Sequence, residues 1–394
     1  MNLKILGSIA IVAGTAIGAG MLALPLATAA LGFYPAILLL LGCWAISAYT
    51  SLLMLEVNLR SGVGDNLHVV TGKALGKPGQ VIQSISFLSL LFALTAAYLS
   101  GGADLLSLKF KAWFALELSN TPAVLLFTLF LGIFAALGVG WVDKLSRLLF
   151  SAMVVLLVIV IAFLLPEVNT ESLVHHAMAE SYGKVWLTAI PVVITSFGFH
   201  VCIATLVRYL DGDAVSLRKV LLIGSTLPLF CYILWLLVTL GTVGSEPIAG
   251  FNGKLAPMIS ALQEITQQPI ISKFVGFFAD LALITSFLGV TMSLYDFLAE
   301  LIRARPSFTG RAQTWLLTFI PPLACALFYP KGFIALLGFA AIPLVVISLI
   351  LPVAIALKQR AQTSEGYQVI GGKPALVLVS VCAVLIIVSQ IYAA

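Results

Sequence analysis

The feature that most constrains this chain is a succession of apolar stretches, each close to the ~20 residues that a helix needs to cross a bilayer. Eleven can be read, at 6–30, 35–58, 82–107, 122–140, 147–165, 185–207, 219–243, 273–302, 312–329, 332–357 and 374–393. A chain of this pattern is expected to be an all-α polytopic membrane protein, because in hydrocarbon a helix satisfies its own backbone groups. Only 9% of the residues are charged, against about 25% in soluble domains, which excludes a globule with a large core. The net charge of +5 is scattered over short loops and is no nucleic-acid signal. Cys43, Cys202, Cys231, Cys325 and Cys382 all lie in apolar segments with no C-x-x-C pair, so the spacing points to neither disulfides nor a metal site. The first stretch has a signal-peptide outline, but it is longer than an h-region of about 7–15 residues.

Within that first stretch stand Gly14, Thr15, Ala16, Ile17, Gly18, Ala19 and Gly20. Glycine inside a helix costs about 1 kcal/mol relative to alanine, and freed backbone groups find no water in a membrane. A run of this kind fits a helix broken around a binding site, as in transporters built from inverted repeats. Gly14 and Gly18 also form a GxxxG, the spacing of a helix-packing face, and the stretch alone leaves both readings open. A second interruption lies in the sixth segment, where Pro191 removes a donor and Thr195, Ser196, Gly198 and His200 bring small and polar groups to mid-membrane. The two interruptions stand five helices apart. That spacing predicts a five-plus-five inverted repeat, residues 1–165 and 185–357, with an additional C-terminal helix at 374–393, all in one transporter domain spanning 1–394. No residue-level similarity between the halves is visible, so the repeat rests on position.

Orientation follows from the connections. With the N-terminus cytoplasmic, the inside holds Lys4, Arg60, Lys73, Lys77, Lys144, Arg147, Arg208, Arg218, Lys219, Arg303, Arg305, Arg311, Lys358, Arg360 and Lys373. The outside keeps only Lys109, Lys111, Lys184, Lys254, Lys273 and Lys331. An odd number of spans then puts the C-terminus outside, in the periplasm for a bacterial inner-membrane protein. Residues 64–78 (GDNLHVVTGKALGKP) are expected to form a short cytoplasmic helix, and 303–311 a basic inside loop. Residues 254–268 (KLAPMISALQEITQQ) place Leu255, Met258, Ile259, Leu262 and Ile265 on one helical face. That amphipathic helix suits either a lid or a helix resting on the membrane surface.

The chain resembles the hydroxy/aromatic amino acid permease family, its bacterial tyrosine-specific members above all. The resemblance is carried by residues 11–25 (IVAGTAIGAGMLALP), 93–100 (ALTAAYLS), 195–200 (TSFGFH) and 279–290 (ADLALITSFLGV), by Pro321 and Pro322 with 328–330 (FYP), and by 371–374 (GGKP). These run in order over nearly the whole chain. The resemblance implies the leucine-transporter fold and secondary, usually proton-coupled, uptake of aromatic amino acids across the bacterial inner membrane, with no cofactor. Two departures stand out. Members of the family carry a lysine in the fifth helix after a small pair, an amine that takes the place of a sodium ion in related carriers; here Ser151 and Ala152 are followed by Met153. After the FGFH stretch the family continues Gly-x-x-Pro-Ser, where this chain has 201–205 (VCIAT). The second departure leaves tyrosine less secure than aromatic amino acid.

An amino acid zwitterion needs donors for its carboxylate and acceptors for its ammonium. Amides at Gly18, Ala19 and Gly20 would begin the second half of helix one, where the partial positive charge favours an anion, and the Thr15 hydroxyl can join them. Carbonyls around Ala13, Gly14 and Thr195, at half-helix C-terminal ends, suit the ammonium. Phe197 and Phe199 flank Gly198 and read as an aromatic gate, Phe197 first, or as ordinary packing. Tyr98 stands mid-way along helix three, where this fold places a substrate contact, or where a neighbouring helix satisfies its hydroxyl. His200 is a lone intramembrane histidine, able to titrate near neutrality or to hydrogen-bond a substrate hydroxyl, or simply hydrogen-bonded in place. Asp280 is an intramembrane carboxylate, a functional candidate by its depth or a paired structural acid. Glu56, Asp296 and Glu300 lie near cytoplasmic helix ends, where they are expected to meet water or loop Arg/Lys. Thr285 and Ser286 fall where the fold supplies hydroxyls to sodium; hard cations want oxygen, yet Ser/Thr also back-bond to the i−4 carbonyl.

Together these features predict proton-coupled import of an aromatic amino acid, tyrosine first, by alternating access. The alternatives are sodium coupling, or tryptophan or phenylalanine as substrate. An intramembrane enzyme fits poorly, since the acids and His200 form no H-E-x-x-H or G-x-S-x-G pattern. A channel would want a continuous polar lining, which the segments lack.

Overall fold

The computed structural model describes residues 3–136, 139–174, 182–265, 268–305, 307–329, 332–363 and 365–393. Among them the chain is helical throughout, with no strand. In chain order the α-helices are α1 (Leu3–Ala16), α2 (Ala19–Thr28), α3 (Phe33–Ser61), α4 (Leu67–Phe114), α5 (Asn120–Ala136), α6 (Val139–Leu164), α7 (Thr170–Val174), α8 (Tyr182–Ser196) and α9 (Ile203–Tyr209). They continue with α10 (Ala214–Thr242), α11 (Ser245–Gly250), α12 (Leu255–Ile265), α13 (Pro269–Leu301), α14 (Phe308–Phe328), α15 (Gly332–Val345), α16 (Leu351–Gln362) and α17 (Gly372–Ala393). Among the described residues eight helices are long and apolar enough to cross a membrane, and the bent pair α1 and α2 makes a ninth. Two of the eleven expected stretches fall short of that measure. Helix α5 has 17 residues, and α14 has 21 but opens with Arg311, Gln313 and Thr314 in its first turns. The outer surface carries the large apolar side chains that lipid requires, Leu38, Phe130, Val158, Phe230 and Leu378 among them. The chain is therefore an all-helical, multi-span membrane protein.

Several connections follow the sequence reading in part. Asn66 caps α4 by accepting a hydrogen bond from the Val69 amide at 2.9 Å. The expected short helix at 64–78 is the first stretch of α4, turned into the long span at Gly76, whose φ of 72° lies in the left-handed region. Asp65, just before it, accepts hydrogen bonds from Lys73 and Ser61, which hold its carboxyl below the usual carboxylate range. Helix α12 forms as expected, and Leu255, Met258, Ile259 and Leu262 are all fully buried. Its apolar face packs on α13, α4 and α2, so the helix is docked onto the protein. Residues 266 and 267 of that expected segment lie outside the described residues.

One carboxylate ties three distant segments together at the chain's basic end. Glu56, fully buried, receives two hydrogen bonds from Arg360 at 2.8 and 2.7 Å, and its Oε2 also accepts from the Val369 amide at 2.8 Å. Arg60 lies 3.4 Å from the same carboxylate and donates to the carbonyls of Tyr367 and Thr363. Glu56 thus meets loop-side arginines, as expected, but in the interior and not in water. A buried carboxylate survives only when paired and hydrogen-bonded, and the result pins α3, α16 and the segment before α17 to one another.

Candidate functional site

The site is built where two helices stop. Helix α1 ends at Ala16, and α2 restarts at Ala19 at an angle of 47° to it. Helix α8 ends at Ser196, a turn follows, a short 3-10 stretch covers Phe199–Cys202, and α9 resumes at Ile203. The restarted half of the first helix packs directly on the ending half of the second. Ala19, Met21, Leu22, Ala23 and Leu24 are fully buried there. Ser196 donates to the Gly20 carbonyl at 3.2 Å and to its own i−4 carbonyl, Val192, at 3.0 Å.

The sequence reason for the first break is close approach. Gly18 has a φ of 177°, extended backbone open to any residue. What excludes a side chain is space, because a Cβ at Gly18 would fall inside van der Waals contact with the Ser286 hydroxyl of α13. A Cβ at Gly20 would meet Ser196 at 3.2–3.4 Å, and one at Gly14 would meet the Phe150 ring at 3.0 Å. The glycine run therefore serves both readings: it admits neighbouring helices, and it does so at a break. A helix start leaves its first amides without intrahelical acceptors. Here the Ala19 amide donates to Ser286 Oγ at 2.9 Å, and the Met21 amide bonds back to the Gly18 carbonyl at 3.0 Å. The Tyr98 hydroxyl is hydrogen-bonded to the Ser286 side chain. One hydroxyl thus joins α2, α4 and α13 at the positive end of α2.

Other expected residues fall at varying distance from that point. The Ala13 carbonyl accepts from Ile17 at 2.8 Å, and the Thr195 carbonyl from Gly198 at 3.1 Å. The carbonyls that end the half-helices at the shared centre are instead Ala16 and Ser196. Thr15 is exposed; its hydroxyl bonds to the Ile11 carbonyl at 2.7 Å and meets the Cys202 thiol. Phe197 is fully buried and stands edge-on to Tyr232, with ring centroids 5.2 Å apart. Phe199, also buried, stacks on His200 at 5.0 Å. His200 is hydrogen-bonded through Nε2 to Thr50 of α3 at 2.8 Å. Asp280 forms an ion pair with Lys109 of α4.

Thr285 faces Met153. Its hydroxyl donates to the Leu281 carbonyl at 2.7 Å and lies 4.0 Å from the Met153 sulfur, which is fully buried. Ser286 donates in the same way to Ala282 at 2.9 Å. Both hydroxyls donate to their own helix and Ser286 also accepts from Ala19, while Thr285 stands beside a soft thioether that suits hard cations poorly.

Two residues were missed by sequence reasoning. Tyr232 of α10 is fully buried, and its hydroxyl donates to the Ala16 carbonyl at 2.6 Å and to the Ser196 carbonyl at 2.7 Å. The same signal that marked Tyr98, a tyrosine at mid-depth of an apolar segment, marks it in the sequence. Asp104 of α4 accepts from the Leu255 amide at 3.3 Å and so fastens the start of α12. No pattern in the sequence pairs residues 151 positions apart.

The tryptophan/tyrosine permease family model matches residues 1–390. The tyrosine-specific transport systems 2 and 1 of Haemophilus influenzae are 38% and 39% identical over 388 and 389 residues, each covering 97% of this chain and 95% of the relative. The tryptophan-specific transport protein of the same organism is 35% identical over 400 residues, covering 98% of this chain and 96% of its own. The chain is thus a member of the tryptophan/tyrosine permease family.

Proposed function

We propose that this chain is a secondary transporter that imports an aromatic amino acid, L-tyrosine first, across a bacterial inner membrane by proton-coupled alternating access. Its N-terminus is cytoplasmic and its C-terminus periplasmic. The plan is that of the leucine-transporter fold, with residues 1–165 and 185–357 as inverted repeats and 374–393 appended. One observation carries the reading: the start of α2 and the ends of α1 and α8 meet at Ser286, Tyr98 and Tyr232. A helix start favours a carboxylate, and helix ends favour an ammonium, so this junction matches the backbone of a zwitterion. The substrate carboxylate takes the Gly18 and Gly20 amides, beside the Ala19 amide that Ser286 holds in place. Phe197 and Phe199 furnish apolar surface for an aromatic side chain. Tyrosine is put first on the strength of the relatives that transport it.

Proton coupling is preferred to sodium because Thr285 lies beside the Met153 sulfur, a soft ligand that suits hard cations poorly. With no fifth-helix amine, the Asp280–Lys109 pair is the leading carrier of the proton. It lies about six residues, or roughly 9 Å along α13, from the Ser286 hydroxyl.

Labelled tyrosine uptake into proteoliposomes, with proton and sodium gradients imposed separately, tests the proposal. Unlabelled tryptophan and phenylalanine serve as competitors. Accumulation driven by the proton gradient alone is expected, with accelerated exchange from preloaded vesicles, which a channel does not show. Accumulation driven by sodium alone would move the coupling to Thr285 and Ser286. Absence of tyrosine uptake, with uptake of tryptophan or phenylalanine instead, would replace the substrate and implicate residues 201–205.

A further inference from the structure

The two helix breaks share one donor. The carbonyls of Ala16 and Ser196 end α1 and α8, and each helix end carries roughly half a negative charge. They converge on the Tyr232 hydroxyl at 2.6 and 2.7 Å. Like partial charges aimed at one point repel in a low-dielectric interior, and an unpaired buried carbonyl costs about 1–3 kcal/mol. Tyr232 answers both with a neutral group. A hydroxyl has a single proton, however, so two acceptors compete for one donor and the junction is short by one hydrogen bond.

We propose that Tyr232 is the positioning residue of the transport site: its hydroxyl ties the broken ends of α1 and α8 together, and its one proton leaves the acceptor that the substrate ammonium fills. The ring is held for this task. It is fully buried and braced edge-on by Phe197, the residue that follows Ser196. Tyr98 lies within electrostatic range across the site and is bonded to Ser286. The ammonium end, organised by Tyr232, and the carboxylate end, organised by Ser286 and Ala19, are then joined through α2, whose Gly20 carbonyl accepts from Ser196. Substrate binding completes the hydrogen-bond count at the junction, so both half-helices respond to it as one body. This inference rests on the amino acid site proposed above.

The test compares KM and Vmax for labelled L-tyrosine in proteoliposomes of the parent and Tyr232→Phe. Phenylalanine keeps the ring and its packing on Phe197 and removes only the hydroxyl. KM is expected to rise on the order of ten-fold or more. Replacement of Tyr232 by 4-aminophenylalanine keeps the ring and puts two N–H donors where the hydroxyl has one proton. That protein is expected to pair both carbonyls and yet to bind tyrosine on the order of ten-fold more weakly, because no acceptor is left for the ammonium. A purely structural role would leave Tyr232→Phe and the aminophenylalanine protein with the parental KM, and either result overturns the inference. The aminophenylalanine protein decides the matter even where Tyr232→Phe fails to fold. Parent protein that takes up no aromatic amino acid would instead sink the site assignment itself.

Discussion

Alanine at position 18 isolates the geometry of the first break. The backbone at Gly18 is extended, with φ at 177°, so any residue can adopt it and no conformational cost enters. The added Cβ overlaps the Ser286 hydroxyl, but it stands 3.6 Å from Ser286 Cβ and 3.8 Å from the Ala282 carbonyl. A single oxygen atom is in the way. Gly18→Ala must therefore swing that hydroxyl aside, which breaks its bonds with the Ala19 amide and with Tyr98. The loss of a satisfied buried donor is worth about 1–3 kcal/mol, or roughly ten- to hundred-fold in affinity. Ser286→Ala removes the obstructing atom and leaves an ordinary 3.6 Å contact, so the double variant is expected to lose less than the two single variants together. Coupling of about 1 kcal/mol or more is anticipated for residues in direct contact. The assay is KM for labelled tyrosine in proteoliposomes, with a monodisperse profile in detergent as the control for folding. Parental affinity in Gly18→Ala, or strict additivity in the cycle, would refute the close-approach account of the glycine. Gly18→Leu, which cannot be accommodated by one rotamer, is expected to abolish uptake while the protein stays in the membrane.

The remaining expectations concern charge. Glu56→Ala leaves Arg360 and Arg60 buried without their carboxylate and is expected to cost about 3–5 kcal/mol, seen as a marked fall in melting temperature in detergent; a melting curve like the parent's would contradict the latch. Asp280→Asn is expected to abolish concentrative uptake while exchange of labelled for unlabelled tyrosine continues, because the Lys109 pair stands apart from the Ser286 junction. Unchanged accumulation and pH response would remove Asp280 from the mechanism.

Much of this was legible in the sequence because the membrane simplifies the problem. Helix is the only way for 61% hydrophobic sequence with runs of this length to satisfy its backbone in lipid. The breaks were legible too, since glycine and proline in such runs declare themselves: the expected interruptions fall at Gly18 and Gly198 within a residue or two. What the sequence withheld was partnership. Gly14 to Gly20 reads as a packing face or a broken helix, and only Ser286 lying against Gly18 shows that one feature causes the other. Glu56 read as an acid meeting water or loop Arg/Lys, and nothing local named Arg360, 304 positions away, as the partner. His200 read either as a titrating group or as one hydrogen-bonded in place, and the sequence could not say that Thr50 would partner its Nε2. In each case the local pattern was right about the residue's cost and silent about which helix repays it.

Among the described residues no fixed charge stands at the junction, which bears on how binding and coupling divide. The groups that meet there are hydroxyls, amides and carbonyls: Ser286, Tyr98, Tyr232, the Ala19 amide and the ends of α1 and α8. A zwitterion is neutral overall but locally charged, and helix ends of opposite polarity supply opposite partial charges without placing an ion in the membrane. Met153 is consistent with such a site, because a thioether packs against Thr285 where an amine would have added a full positive charge beside the ammonium pocket. A neutral site of this kind binds its substrate without titrating. On the function proposed above, the ion that drives accumulation acts elsewhere, and the acid nearest on the same helix is Asp280, held by Lys109 on the helix that also carries Tyr98. Protonation there would loosen α4 from α13, the two helices whose side chains meet at Ser286, so a titration outside the site can reach the substrate through the packing of those two helices and no further intermediary is needed.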